Sequence, residues 1–153
     1  MPQFQTKRRV HHAASNMFEL VADVGKYPQF VPLCSALKVK SREIPADGTV
    51  VLIADMTVAY KIMHETFTSR VTLDRGNLKI FVEYLNGPFK RMHNRWVFRA
   101  IDENSCEIEF FIEYEFRSRA LAMLMGAMFE TAFRRFATAF EQRADQVYGR
   151  TKA

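Results

Sequence analysis

The sequence predicts an α+β fold in which a curved antiparallel sheet of about seven strands wraps on a long C-terminal helix, with two short helices after the first strand. Two observations carry this expectation. Residues 118–148 place Leu121, Leu124, Met125, Met128, Phe129, Ala132, Phe133, Phe136 and Phe140 at three- and four-residue steps, which is one buried face of a helix. From Cys34 to Arg117 the period falls to two, in consecutive segments separated by short turns, so neighbouring strands run antiparallel. Each segment has one apolar and one mostly wet face, and a sheet built this way needs a cover on its apolar side. The terminal helix is the segment large enough to supply it. Its stripe covers about half the cylinder, more than the roughly 100° that core packing needs. About thirty residues make a rod of about 45 Å. The plain expectation is closure of a core, and the sharper one is that helix and sheet hold a ligand between them.

Taken in order, Phe4, Thr6, Arg8 and Val10 alternate with polar neighbours, a strand over 3–12 near a sheet edge. Met17, Leu20, Val21 and Val24 have helical spacing, and Gly25 is read as the stop. In KYPQFVPLC, Pro28 and Pro32 forbid a long helix and leave a kinked apolar turn of helix. Strands follow at 36–44 and at 49–60, the latter with Val50, Leu52, Ala54, Met56, Val58 and Tyr60 on one face. The next, 62–73, sets Met63, Phe67, Val71 and Leu73 against His64, Thr66, Thr68 and Arg70. Strand 78–85 groups Leu78, Ile80, Val82 and Tyr84. Strand 89–101 groups Met92, Asn94, Trp96, Phe98 and Ala100 against Arg91, His93, Arg95 and Arg99. Strand 106–117 alternates most cleanly, with Cys106, Ile108, Phe110, Ile112, Tyr114 and Phe116 opposite a row of glutamates. Turn residues at 45–48, 74–77, 86–88 and 102–105 punctuate the series.

Composition narrows the function classes. The chain has 153 residues, 48% hydrophobic and 25% charged, which suits one domain over 1–149 with a frayed tail at 150–153. Fourteen Phe and eight Met supply large, pliable side chains that fill a core or a greasy pocket equally well. The formal charge of +5 permits attraction to anionic lipid or ribosomal RNA and proves neither. Cys34 and Cys106 form no metal-ligand spacing and no disulfide framework, consistent with a reducing compartment. No apolar run approaches the length of a membrane span, and no apolar segment follows the basic start as a secretory signal requires.

Four stretches carry a family resemblance: MFELVADVGKYPQFVPLC at 17–34, NGPFKRMHNRWVF at 86–98, IEFFIEYEFRSRALAMLMG at 108–126 and FEQRADQVYG at 140–149. The chain resembles the coenzyme Q-binding START-domain proteins of the polyketide cyclase/START-like superfamily, whose bacterial relatives carry the name ribosome-association toxin. The resemblance implies a helix-grip START-like fold. It implies a non-enzymatic chaperone or carrier for an isoprenoid quinone, ubiquinone, supporting respiration and quinone biosynthesis. It places Tyr27, Pro28, Phe30 and Pro32 at the cavity mouth and Trp96 and Phe98 on the sheet lining. Leu124, Met125, Met128, Phe129 and Phe133 form the inward face of the long helix. Met56, Phe67 and Phe110 join them from the apolar strand faces.

The residues themselves leave alternatives open. His64 and His93 fall on the wet face, no Gly-rich phosphate loop, zinc motif or nucleophile elbow occurs, and no catalytic residue is assigned. Glu65, Ser69 and Asn94 share the apolar faces; they either pin a quinone oxygen or pair within the protein. Arg135 edges the helical stripe and is expected to snorkel. Lys7, Arg8, Arg9, Arg117 and Arg119 are either a patch for anionic lipid or ribosomal RNA, or scattered solvated charge. The expected protein is thus cytoplasmic, touching the inner membrane at most peripherally, with quinone as ligand, no metal, no further cofactor and no DNA partner. The rivals are a toxin that binds a ribosomal subunit and a polyketide cyclase or dehydratase in which Glu65 is the acid or base.

Overall fold

The computed structural model describes residues 3–60 and 63–149; the side chains of residues 60 and 63 and the tail at 150–153 lie outside that description. The order is β1 (Gln3–Val10), α1 (Ala14–Ala22), a 3-10 helix (Val24–Gln29), β2 (Cys34–Glu43), β3 (Val50–Tyr60), β4 (Met63–Asp74), β5 (Lys79–Asn86), β6 (Phe89–Asp102), β7 (Ser105–Phe116) and α2 (Arg119–Tyr148). The seven strands form one sheet in the order β1-β7-β6-β5-β4-β3-β2. Strands β2 to β7 are a meander, and β1 returns to pair antiparallel with β7. The sheet and the gripping helix are therefore the ones that the two hydrophobic periods predict.

Alternation sets which side of the sheet faces α2. Along β7, Cys106, Ile108, Phe110, Ile112, Tyr114 and Phe116 are all buried, and the glutamates between them face out. On the outer face they meet a row of cations from β6: Arg91 bonds Glu115 at 2.9 Å, Arg99 bonds Glu109, and His93 stands opposite Glu113. Such exposed pairs contribute little stability each. The four β7 glutamates do offset most of the positive charge of that face. The β1 residues Lys7 and Arg9 pair in register with Glu109 and Glu107, so they also fall within the compensated row. Arg8 turns the other way and binds Glu141 of α2 at 2.5 Å.

Helix α2 starts at a Ser118 cap, whose hydroxyl accepts from Leu121 N–H at 3.2 Å, and ends at Gly149 with φ +78°. It packs on β1 and β7 through Phe4–Phe133, Phe110–Phe136 and Tyr114–Phe129. His12, after β1, is buried and holds Asp145 near the end of α2 at 2.7 Å.

Three expectations change. The buried stripe of α2 is Met125, Phe129, Ala132, Phe133, Phe140 and Ala144, with Leu121, Met128 and Phe136 half-buried. Leu124 is 64% exposed and Met123 85% exposed. Helix α2 leans on β1 and β7, so one flank of its first turns has no strand against it, and the stripe is narrower than half the cylinder. Helix α1 ends at Ala22 with Asp23 as its cap, and Gly25 lies inside the 3-10 helix instead of stopping α1. Ala100 is exposed whereas Val97, on the opposite face of β6, is buried.

Candidate ligand cavity

The sheet curls away from α2 on its β3–β5 side, and a cavity of about 130 Å³ lies between them. Its floor comes from inward residues of β3, β4 and β5, among them Ala54, Met56, Phe67, Ser69, Val71 and Ile80. Trp96 and Phe110 close it from β6 and β7, and Phe129, Phe133, Phe136 and Phe140 close it from α2. The segment after α1 caps the remaining side with Tyr27, Val31, Pro32 and Leu33.

That cap is pinned at several points. Tyr27 O accepts from both Phe30 N–H and Val31 N–H, at 3.1 and 2.8 Å. Tyr27 Oη donates to the Val21 carbonyl at 2.5 Å, so its hydroxyl points at the backbone of α1. Burial, with smaller contributions from Cys34 and Asp23, pushes the phenol well above its usual range, so it remains a neutral donor. Leu33 has φ +67°, a left-handed conformation costly for a side chain with a Cβ, and Ala59 N–H donates to its carbonyl at 2.9 Å. That bond ties the cap to β3.

Of the expected site residues, Tyr27, Pro32, Met56, Phe67, Asn94, Trp96, Phe110, Phe129 and Phe133 lie on the cavity wall. The others do not. Pro28 is exposed, and Phe30 packs on Phe140 at 5.1 Å with the Arg143 guanidinium over its ring. Phe98 is buried behind Trp96, stacked at 6.1 Å, and meets Phe18 edge-on. Met125 is core and Met128 half-buried, both off the wall, and Leu124 faces outward. Glu65 sits half-buried opposite Val58, beyond the wall. Arg135 is exposed.

Some wall residues escape a reading by strict alternation. Phe89 falls out of phase with Met92 and Trp96, yet the register shift between Phe89 and Arg91 turns it inward. There it meets Phe67, Tyr84, Tyr114, Phe116 and Phe129. Ala132, Phe136 and Phe140 were visible in the helical stripe.

The wall is apolar and aromatic, and among the described residues it carries no carboxylate, imidazole, amine or guanidinium. Its polar side chains are Tyr27, Asn94 and Ser69. Asn94 is engaged at both ends of its amide: Nδ2 donates to the Phe111 carbonyl at 2.8 Å, and Oδ1 accepts from Trp96 Nε1 at 3.0 Å. Asn94 therefore orients Trp96. Ser69 is 5% exposed, and among the described residues its Oγ has no hydrogen-bond partner. Among the described residues no group of His, Cys, Asp or Glu could hold a metal ion, and no helix is long and apolar enough to cross a membrane.

Residues 10–141 match the family described as polyketide cyclase / dehydrase and lipid transport. The chain is 33% identical over 149 residues to the ribosome association toxin RatA of Vibrio cholerae, covering 97% of this chain and 99% of that one. It is 27% identical over 122 residues to the mitochondrial coenzyme Q-binding protein coq10 of Schizosaccharomyces pombe, covering 79% and 73%. The solution structure of an 18 kDa protein from Caulobacter crescentus matches with a TM-score of 0.79 at 30% identity, covering 97% of this chain and 99% of that one.

Proposed function

Since the chain belongs to the polyketide cyclase / dehydrase and lipid transport family, we propose that it binds the ring of an isoprenoid quinone, ubiquinone, in the cavity between sheet and α2. It does so as a carrier, making and breaking no bond. The observation that supports this most is the wall itself: aromatic and aliphatic, without a charged side chain among the described residues. The relative named for coenzyme Q binding supports the choice of ligand. General acid–base chemistry needs a titratable group within reach of the substrate. Glu65, the one acid considered for that task, lies off the wall.

Size sets the manner of binding. A buried apolar cavity of about 150 Å³ accepts one benzene ring. At about 130 Å³ this cavity seats at most an unsubstituted six-membered ring, so the substituted quinone head, like the isoprenoid tail, needs the cavity to widen on binding. Burying about 200 Å² of ring surface stabilises the complex by about 5 kcal/mol before association costs. Tight binding therefore needs the tail to find further apolar surface, through the mouth or by parting the cap from α2. A carrier of this kind would work at the periphery of the inner membrane, where its ligand resides.

The test is extraction of protein purified from its native host with organic solvent, followed by lipid mass spectrometry. The reading predicts ubiquinone in proportion to protein. Absence of quinone, with no uptake of added quinone, overturns it. Ribosome association is the second reading, favoured by the near full-length similarity to RatA of Vibrio cholerae. It predicts co-sedimentation with a ribosomal subunit. The compensated Arg–Glu rows across β1, β7 and β6 offer RNA little net attraction on that face.

A further inference from the structure

Ser69 is at odds with its surroundings. It lies on β4 between Ala54 of β3 and Tyr84 of β5, where the β4–β5 register shifts. It lies on the cavity wall and is 5% exposed, and among the described residues Oγ meets no partner. A hydroxyl buried in that state destabilises the fold, so a serine with no task here is worse than alanine. Neither strand neighbour relieves it. Ala54 has no polar side-chain atom, and the Tyr84 hydroxyl accepts from Phe89 N–H at 3.1 Å. The other polar wall residues are committed elsewhere, Asn94 to Trp96 and Phe111, Tyr27 to Val21.

We infer that Ser69 Oγ is the donor that fixes one ring oxygen of the ligand. The cavity then selects a ring bearing a carbonyl acceptor over an equally apolar ring without one. This rests on the quinone reading and adds a specificity-determining residue to it. Apolar contact supplies most of the affinity and has no preference for orientation. One hydroxyl without a protein partner, on a largely apolar wall, sets both the orientation of the ring and its chemical class. The cost in the empty protein and the gain in the complex come from the same atom.

The experiment uses full-length protein stripped of lipid, wild type and Ser69→Ala. The probes are duroquinone, whose ring carbons are all substituted so that it does not add to thiols, and durene, which has a flat six-carbon ring of like size with four methyl groups but no carbonyl. Trp96 is the single tryptophan and lies on the wall, so quenching of its emission reports occupancy by duroquinone. Durene is read by competition and by thermal shift. Ser69→Ala is expected to weaken duroquinone about tenfold, leave durene unchanged, and raise the melting temperature of the empty protein. The infrared carbonyl band of bound duroquinone should lie at lower wavenumber in wild type than in the variant. Equal affinity of duroquinone for both proteins, or equal weakening of both probes, overturns the assignment to Ser69 while leaving the cavity reading intact. Failure of both probes to bind wild type overturns the cavity reading, and this inference with it.

Discussion

Gly87, in the turn between β5 and β6, lies so close to Phe67 of β4 that a methyl group on it would stand 2.6 Å from Phe67 Cβ and 2.9 Å from its Cα. Its φ is +144°, a conformation that side chains rarely adopt. The contact presses the hairpin onto a residue of the cavity wall. Gly87→Ala should therefore cost about 2 kcal/mol or more in urea unfolding. Gly48, at φ +85° with nothing within 4 Å of the added atom, should cost about 1 kcal/mol on the same change. Equal losses would remove the steric argument.

Asn94 holds the indole of Trp96 and the carbonyl of Phe111 together. Replacing it with Leu strands two buried polar groups, at about 1–3 kcal/mol each. The expected result is a destabilised protein with shifted Trp96 emission and weaker quinone binding. Unchanged emission would show that the indole needs no such anchor.

Helix α2 offers a direct contrast. Phe129→Ala empties a buried wall position and should cost about 3–5 kcal/mol. Leu124→Ala should fall within about 0.5 kcal/mol, since that side chain is exposed. Comparable losses at both positions would mean that Leu124 is covered in solution.

Burial raises the thiols of Cys34 and Cys106 to about 11. Both stay neutral in the folded protein where unfolded thiols, near 9, ionise. Their contribution to stability is complete below pH 9 and is lost as pH rises from 9 through 11. Alkylation at pH 8 should be slow in the folded protein and fast in urea. Fast labelling of the folded protein would show the sites open.

The architecture was legible because most of each strand's length keeps one phase. Along β7 the alternation is unbroken, and every residue assigned inward is buried. The cavity was legible only where that phase held. Phe89 looks outward by counting, and a register shift turns it inward. Leu124 belongs to the helical stripe by angle, but stripe width says nothing about which flank the sheet covers. Leu33 carries no sequence mark of its positive φ, which follows from tethering to Ala59. Ser69 could be placed on the apolar face from the sequence. That its hydroxyl lacks a partner is a fact of three-dimensional packing.

The central claim, a ring-sized quinone site against Trp96, is tested most directly by titrating lipid-free protein with a short-chain ubiquinone while following Trp96 emission in wild type and Ala132→Phe. Ala132 is buried on the cavity wall, so a phenyl group there fills the chamber at about 1–3 kcal/mol of overpacking. The account predicts saturable quenching in wild type and its loss in the filled variant, with the variant still folding cooperatively. Equal quenching of both proteins, or none in wild type, would contradict it.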